Sequence, residues 1–264
     1  MDSMVLVVTS GKGGVGKTTT VANIGTGLAK RGKKVVMVDA DIGLRNLDVV
    51  MGLENRIVFD LVDVVEGQCR LKQALVKDRR LEGLYLLPAA QTREKDAVQP
   101  EQMKALCDEL RQEFDYVVID CPAGIEQGFK NAIAGADEAL IVTTPEVSAV
   151  RDADRIVGLL QASGLTNPKL IINRIRPDMV KKGDMIGIED VNGVLALDLL
   201  GVIPDDESII ISTNRGEPVV LDKNSHAGEA YRNIVARIEG EDVPLMSLDF
   251  DDGFIGKLKK MFGI

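Results

Sequence analysis

Short runs of apolar residues recur along the chain, and each run ends in a polar or turn-forming residue. The runs cover residues 4–8, 34–38, 84–87, 116–119, 139–143, 170–172 and 200–203. Segments that suit helices lie between them, and the first of these, residues 18–31, ends before Gly32, a typical residue after a helix C-terminus. Nearly continuous apolar strands that alternate with helices are typical of a parallel sheet covered on both faces. The pattern therefore predicts a doubly wound, mostly parallel α/β sheet.

A glycine-rich stretch joins the first apolar run to the first predicted helix. Residues 11–18 have the sequence G-K-G-G-V-G-K-T, which is the spacing of a phosphate-binding loop between a strand and a helix. Glycines let backbone N–H groups point at phosphate oxygens, and the helix dipole adds positive potential there. We expect Lys17 to reach the β and γ phosphates of ATP and the Thr18 hydroxyl to bind Mg²⁺. The fold class predicted is thus a P-loop NTPase.

Carboxylates follow two other apolar runs. Asp41 lies just beyond the run 34–38, and Asp120 closes the run 116–119. Ligands of open α/β sheets bind at the carboxyl ends of the strands. These side chains are therefore candidates for a role in binding or hydrolysing the phosphate groups. We expect Asp120 to hold the Mg²⁺ shell through water, and Asp41 to position the attacking water beside the same ion. A structural role as a helix cap is the alternative for Asp41.

Composition narrows the class of protein without identifying it. The chain has 264 residues, 45% of them hydrophobic, which is enough for the core of one large domain. A net charge of −9 argues against a nucleic-acid-binding surface over the whole protein. The three cysteines form no CxxC pair, so we expect neither a zinc site nor a disulfide framework. We expect a reduced, cytoplasmic setting instead. No apolar run approaches transmembrane length, and the start lacks a signal-peptide pattern.

The composition changes near the end of the chain. After a domain predicted at residues 1–240, residues 241–253 form an acidic linker and residues 254–264 a short amphipathic segment. As an ideal helix, this segment collects its apolar side chains on one face with lysines beside them, which favours a helix lying in a membrane interface. Packing on its own domain or on a partner helix is the alternative. The candidate membrane residues are Phe254, Ile255, Lys257, Leu258, Lys259, Met261 and Phe262.

Several motifs, taken together, are similar to one family of ATPases. Lys12 stands second in the phosphate loop, as does the signature lysine of the deviant Walker A ATPases. The chain also contains G-L-R-N-L-D from residue 43, L-P-A-A-Q-T-R-E-K-D-A from residue 87 and P-E-V-S-A-V-R-D-A-D from residue 145. These motifs span nearly the whole chain and resemble the MinD group of the MinD/ParA family.

The resemblance implies roles for individual residues. Lys12 is implied to reach the nucleotide of a partner subunit, so that ATP holds a homodimer together. Asp152 and Asp154 are implied to face regulatory partners. The implied catalytic residues are Lys12, Lys17, Asp41 and Asp120. The implied ATP-binding residues are Gly11, Lys12, Gly13, Gly14, Val15, Gly16, Lys17, Thr18, Thr19, Asn173, Pro204 and Asp206. Of these, Asn173, Pro204 and Asp206 are implied to bind the adenine base.

The resemblance also implies a function and partners. Proteins of this group hydrolyse ATP, bind the inner face of the cell membrane, recruit the division inhibitor MinC and control septum placement. MinE or another topological regulator and anionic lipids are the other implied partners. Rival interpretations are a flagellar-number regulator of the same family, a ParA-like partition ATPase whose ATP dimer binds DNA, and a scaffold that holds nucleotide without hydrolysing it.

Overall fold

The computed structural model describes residues 3–94 and 96–246. Its strands are β1 (Met4–Thr9), β2 (Val35–Asp39), β3 (Val76–Lys77), β4 (Leu84–Leu87), β5 (Tyr116–Asp120), β6 (Glu138–Thr143), β7 (Lys169–Ile175) and β8 (Asp198–Pro204). They form one sheet in the order β3-β4-β2-β5-β1-β6-β7-β8. Neighbouring strands are parallel except β3 and β4, which are antiparallel.

Helices connect the strands and cover both faces of the sheet. They are α1 (Lys17–Lys30), α2 (Leu47–Met51), α3 (Leu61–Val65), α4 (Leu71–Ala74), α5 (Pro100–Leu110), α6 (Gln127–Ile133), α7 (Val147–Ala162), α8 (Pro177–Lys182), α9 (Ile188–Leu195), α10 (Glu207–Asn214) and α11 (His226–Ile238). Short 3₁₀ turns occur at Glu54–Arg56 and Val219–Leu221.

Alternate residues of the central strand enter two separate cores. Val5 and Val7 pack with residues of α5 and α7 on one face, whereas Leu6 and Val8 pack with residues of α1 and α11 on the other. Successive side chains of a strand point to opposite faces, so a strand buried on both sides has to be apolar throughout. This confirms the doubly wound α/β fold expected from the hydrophobic pattern.

The structure differs from the sequence-based expectation at two strands. β3 was not predicted, because two residues are too few to show a hydrophobic period. β7 was expected to end before Asn173, but it continues to Ile175 through irregular pairing with β8. Arg174 has φ 58° at this irregularity. Asn173 therefore lies inside β7, with strand residues both before and after it.

The order of the strands determines where the candidate residues meet. β5 lies between β1 and β2, and Asp120 is paired in register with both Val8 and Asp39. The carboxyl ends of these three strands form one edge, and the glycine-rich loop starts there. Residues 247–264, which include the predicted membrane segment and most of the predicted linker, lie outside the described residues. Among the helices of the described part, none has the length and apolarity needed to cross a membrane.

Candidate functional site

The glycine-rich loop runs from β1 into α1. The helix begins at Lys17, and its N-cap residue, Gly16, has φ 102°, a left-handed conformation that glycine adopts without strain. The first turn of α1 contains no acidic side chain. Its unpaired N–H groups and the positive end of its dipole are therefore available to an anion.

Two other elements pack closely against this loop. The Asn173 Nδ2 group donates a hydrogen bond to the Val15 carbonyl over 2.8 Å. A Cβ at Gly16 would lie 2.3 Å from the same nitrogen, and a Cβ at Gly11 would lie 2.2 Å from the carbonyl oxygen of Asp152 on α7. Only glycine permits these approaches, so the motif glycines also serve the packing of the loop between β7 and α7.

Asp120 is fully buried at the end of β5, next to the loop. Burial raises the pKa of its carboxyl group to about 8, repulsion from Asp39 adds to the rise, and a hydrogen bond from Thr18 and the charge of Lys17 oppose it. Its Oδ1 atom has no hydrogen-bond partner among the described residues. Lys17 is itself 8% exposed. A buried carboxylate oxygen without a donor, beside the Thr18 hydroxyl, fits the outer shell of a nucleotide-bound Mg²⁺.

Asp39 holds the loop that carries Asp41, a role that the sequence analysis missed. Its carboxylate accepts hydrogen bonds from the backbone N–H of Asp41 at 3.0 Å and from those of Asn46 and Leu47 at 3.1 Å. Burial raises the pKa of this carboxyl group to about 6, although these bonds lower it. The signal available was the D-A-D spacing at a strand end, since an aspartate often accepts a bond from the N–H two residues on.

Asp41 is half-buried in the loop between β2 and α2. Its carbonyl accepts hydrogen bonds from the N–H groups of Leu44 and Arg45. The structure thus brings Asp41, Asp120, Lys17 and Thr18 to one edge of the sheet. The positioning of water by Asp41 stays a prediction.

Lys12 lies at the outer side of the loop. Its Nζ is 3.2 Å from Glu146 Oε2 and 3.3 Å from Ser148 Oγ, at the start of α7. The Lys12 and Glu146 side chains are 43% and 57% exposed. An ion pair this exposed contributes about 0–1 kcal/mol, so another negative group can readily replace Glu146.

Two of the three predicted adenine residues, Asn173 and Asp206, line an open cleft of about 660 Å³. Its lining includes Gly16, Thr19, Asn173, Asp206 and Ile210. Asn173 keeps one N–H and one acceptor position beyond its bonds to Val15 and Arg174, so its amide can still pair with a base edge.

The other two predicted adenine residues, Asp206 and Pro204, have structural roles in the fold. The Asp206 carboxylate accepts bonds from Ser208 N–H, Ser225 Oγ and Ala227 N–H. Burial raises the pKa of Asp206, but these bonds outweigh burial and the net shift is downward. Pro204 is the buried last residue of β8. Asp206 therefore joins the starts of α10 and α11, and base recognition by either residue stays a prediction.

The two predicted partner-facing carboxylates lie on α7. Asp152 is half-buried where its backbone meets Gly11, whereas Asp154 is exposed. α7 thus connects the loop directly to an exposed acidic side chain. That this side chain meets a partner is a prediction.

Replacing Asp120 with Asn should stabilise the nucleotide-free protein more at high pH than at low pH. The pKa of Asp120 is raised from 3.8 in the unfolded chain to about 8, so the folded state holds the proton more tightly and wild-type stability falls as pH rises between these values. An amide does not titrate, so at about 1.4 kcal/mol per pKa unit the variant should gain about 4 kcal/mol more at about pH 8 than at about pH 5. Thermal unfolding at both pH values measures this, with Asp198→Asn at an exposed position as control. Parallel pH profiles for wild type and Asp120→Asn would contradict it.

The fold and this edge of the sheet define a P-loop nucleotide-binding protein. Residues 6–219 match the family model described as the CobQ/CobB/MinD/ParA nucleotide binding domain. The chain is 60% identical to the septum site-determining protein MinD of Bacillus subtilis over 98% of both chains. It therefore belongs to the CobQ/CobB/MinD/ParA family and, within it, to the MinD proteins.

Solved structures agree with this assignment. MinD in the MinC:MinD cell division protein complex of Aquifex aeolicus has 49% sequence identity and a TM-score of 0.87, over 93% of this chain and 99% of that one. MinD complexed with Mg-ADP from Pyrococcus horikoshii has 31% identity and a TM-score of 0.82, over 90% and 96%.

Proposed function

We propose that this protein is an ATPase that controls placement of the division septum. The observation that carries the proposal is the buried carboxylate of Asp120, with its unpartnered Oδ1, beside Lys17 and Thr18 at the start of α1. The Mg-ADP bound by the P. horikoshii relative supports nucleotide and Mg²⁺ as ligands of this edge.

In the proposed reaction, water attacks the γ-phosphorus of ATP and the bond to the bridging oxygen breaks, giving ADP and phosphate. Lys17 neutralises charge on the β and γ phosphates, and Asp41 orients the water. Thr18 would hold Mg²⁺ directly, and Asp41 and Asp120 would hold it through water; the ion would supply charge stabilisation. Asp39 keeps Asp41 in place through the backbone of its loop.

ATP is proposed to join two copies of the chain through Lys12. The exposure of Lys12 and the weakness of its pair with Glu146 support a side chain that is able to change partners. A phosphate carries more charge than one carboxylate and attracts the ammonium more strongly when water is excluded. In this proposal the homodimer forms when a nucleoside triphosphate is bound.

Membrane attachment is proposed for the segment 254–264. Three lysines near an anionic surface contribute about 3 kcal/mol, and five partly inserted apolar side chains add about 5 kcal/mol. The conformational entropy lost on ordering the segment offsets most of this gain, so one segment binds weakly. Two segments on one dimer gain about 10²- to 10⁴-fold through avidity. ATP thus places the protein on the inner face of the membrane, and hydrolysis releases it.

The partner proposed for the membrane-bound dimer is MinC. The Aquifex relative, 49% identical to this chain, forms a MinC:MinD complex. The α7 face with Asp154, next to the loop that senses nucleotide, is the proposed partner surface. MinE or another regulator is proposed to stimulate hydrolysis at the same face.

Liposome co-sedimentation tests the proposal. The full chain should pellet with anionic vesicles in ATP but not in ADP or without nucleotide, and a chain ending at Gly253 should stay in solution in all three. Avidity makes the expected ATP effect about 10²-fold or more in apparent affinity. Equal pelleting in every nucleotide state would remove the switch, and no pelleting at all would remove the membrane role.

A further inference from the structure

The hydroxyl group of Tyr231 lies buried behind the phosphate loop. Tyr231 is on α11, is 0% exposed, and its hydroxyl oxygen is 3.2 Å from Thr20 Oγ1. Thr20, in the first turn of α1, is also 0% exposed. Thr20 Oγ1 in turn lies 2.8 Å from the carbonyl oxygen of Gly16, the last loop residue before α1. A chain of polar groups therefore connects α11 to the loop through the core.

The direction of these hydrogen bonds follows from their chemistry. A carbonyl oxygen only accepts, so the Thr20 hydroxyl must donate its one hydrogen to Gly16. Thr20 Oγ1 is then left as an acceptor, and Tyr231 must donate to it. The two bonds point the same way, toward the loop, and each polarises the next.

The bond to Gly16 orients the peptide group between Gly16 and Lys17, at the start of α1. In a trans peptide the C=O and N–H point in opposite directions, so a Gly16 carbonyl directed into the helix aims the Lys17 N–H at the mouth of the loop. The Thr20 N–H also donates to this carbonyl, over 2.9 Å. Gly16, at φ 102°, has no Cβ to restrict its backbone. The two donors on its carbonyl therefore limit the rotation of its peptide group.

We propose that Tyr231 is a positioning residue for the phosphate groups of the nucleotide, acting through Thr20 on the Gly16 peptide. The proposal rests on nucleotide binding at the loop, as set out above. It adds a residue from α11, 211 positions along the chain from Thr20, to the machinery of the loop.

Isothermal titration of Mg-ADP into Tyr231→Phe tests this inference. The ring stays in place and only the hydroxyl is lost, so Mg-ADP should bind about two- to tenfold more weakly, the equivalent of one hydrogen bond. Tyr85→Phe, on β4 at the far side of the sheet, is the matched control and should bind as wild type does. If Tyr231 only supported the fold, Tyr231→Phe would unfold at a lower temperature but bind Mg-ADP with wild-type affinity.

A double-mutant cycle shows whether Tyr231 acts through Thr20. Thr20→Val should weaken binding, Thr20→Ser should restore it, and Tyr231→Phe should have no further effect on Thr20→Val. Additive losses, or equal affinity of Thr20→Val and Thr20→Ser, would overturn the inference. Equal Mg-ADP affinity of Thr20→Val and Thr20→Ser would overturn the inference even if Tyr231→Phe did not fold. A wild-type chain that binds no Mg-ADP would instead overturn the proposed function, and the inference with it.

Discussion

Replacing Lys17 with alanine is expected to abolish ATP turnover. The side chain is buried at the start of α1, and its charge lowers the pKa of Asp120 against the effect of burial. Its loss removes the cation from the β and γ phosphates and also makes Asp120 hold its proton more tightly. Removing one such charge-stabilising group costs about a hundredfold or more in rate. Phosphate release at steady state, on anionic vesicles, measures the effect.

Lys30→Ala is the matched control for this variant. Lys30 is the exposed last residue of the same helix, about 20 Å along its axis from Lys17. It should leave turnover unchanged. Turnover of Lys17→Ala at the wild-type rate would refute the assignment of the loop to catalysis.

Replacing Lys12 with alanine is expected to separate nucleotide binding from dimer formation. Its Nζ contacts the start of α7 and is 43% exposed, so the variant should still bind Mg-ATP. The ATP dimer should be lost, because both proposed contacts between a Lys12 ammonium and a phosphate of the partner's nucleotide would disappear. Such a change costs about 2–5 kcal/mol, or at least about thirtyfold in dimer affinity. Sedimentation velocity with a non-hydrolysable ATP analogue measures it.

Lys182→Ala, at the exposed end of α8, controls for the loss of one surface charge and should dimerise as wild type does. Dimerisation of Lys12→Ala with wild-type affinity would contradict a contact between subunits. Loss of Mg-ATP binding by Lys12→Ala would instead assign Lys12 to the nucleotide of its own subunit.

The strands, the glycine-rich loop and Asp120 could be predicted because each depends on residues that are close together in the sequence. Strands buried on both faces must be apolar at every position, so runs such as 116–119 mark them directly. The glycines, the lysine and the threonine of the glycine-rich loop lie within eight consecutive residues, so the loop can be recognised from local sequence alone. Asp120 could be placed because the end of a strand and the end of an apolar run coincide.

The roles that depend on distant partners could not be predicted in this way. Asn173 was selected for a base, and the structure adds its bond to the Val15 carbonyl, 158 positions away. Tyr231 carried no motif at all. Arg80 is similar: it pairs with the buried Asp78 and donates to the carbonyl groups of Met51 and Gly216, joining α2 to the segment after α10.

Spacing along the chain was enough to predict the α/β class, the phosphate loop and the candidate metal carboxylate. The three-dimensional fold was needed to show which side chains hold that loop in place: Asn173 from β7, Tyr231 through Thr20, and Asp39 for the neighbouring loop. The reason is physical. A buried polar group must find a hydrogen-bond partner wherever the fold brings one, and that partner leaves no periodic trace in the sequence.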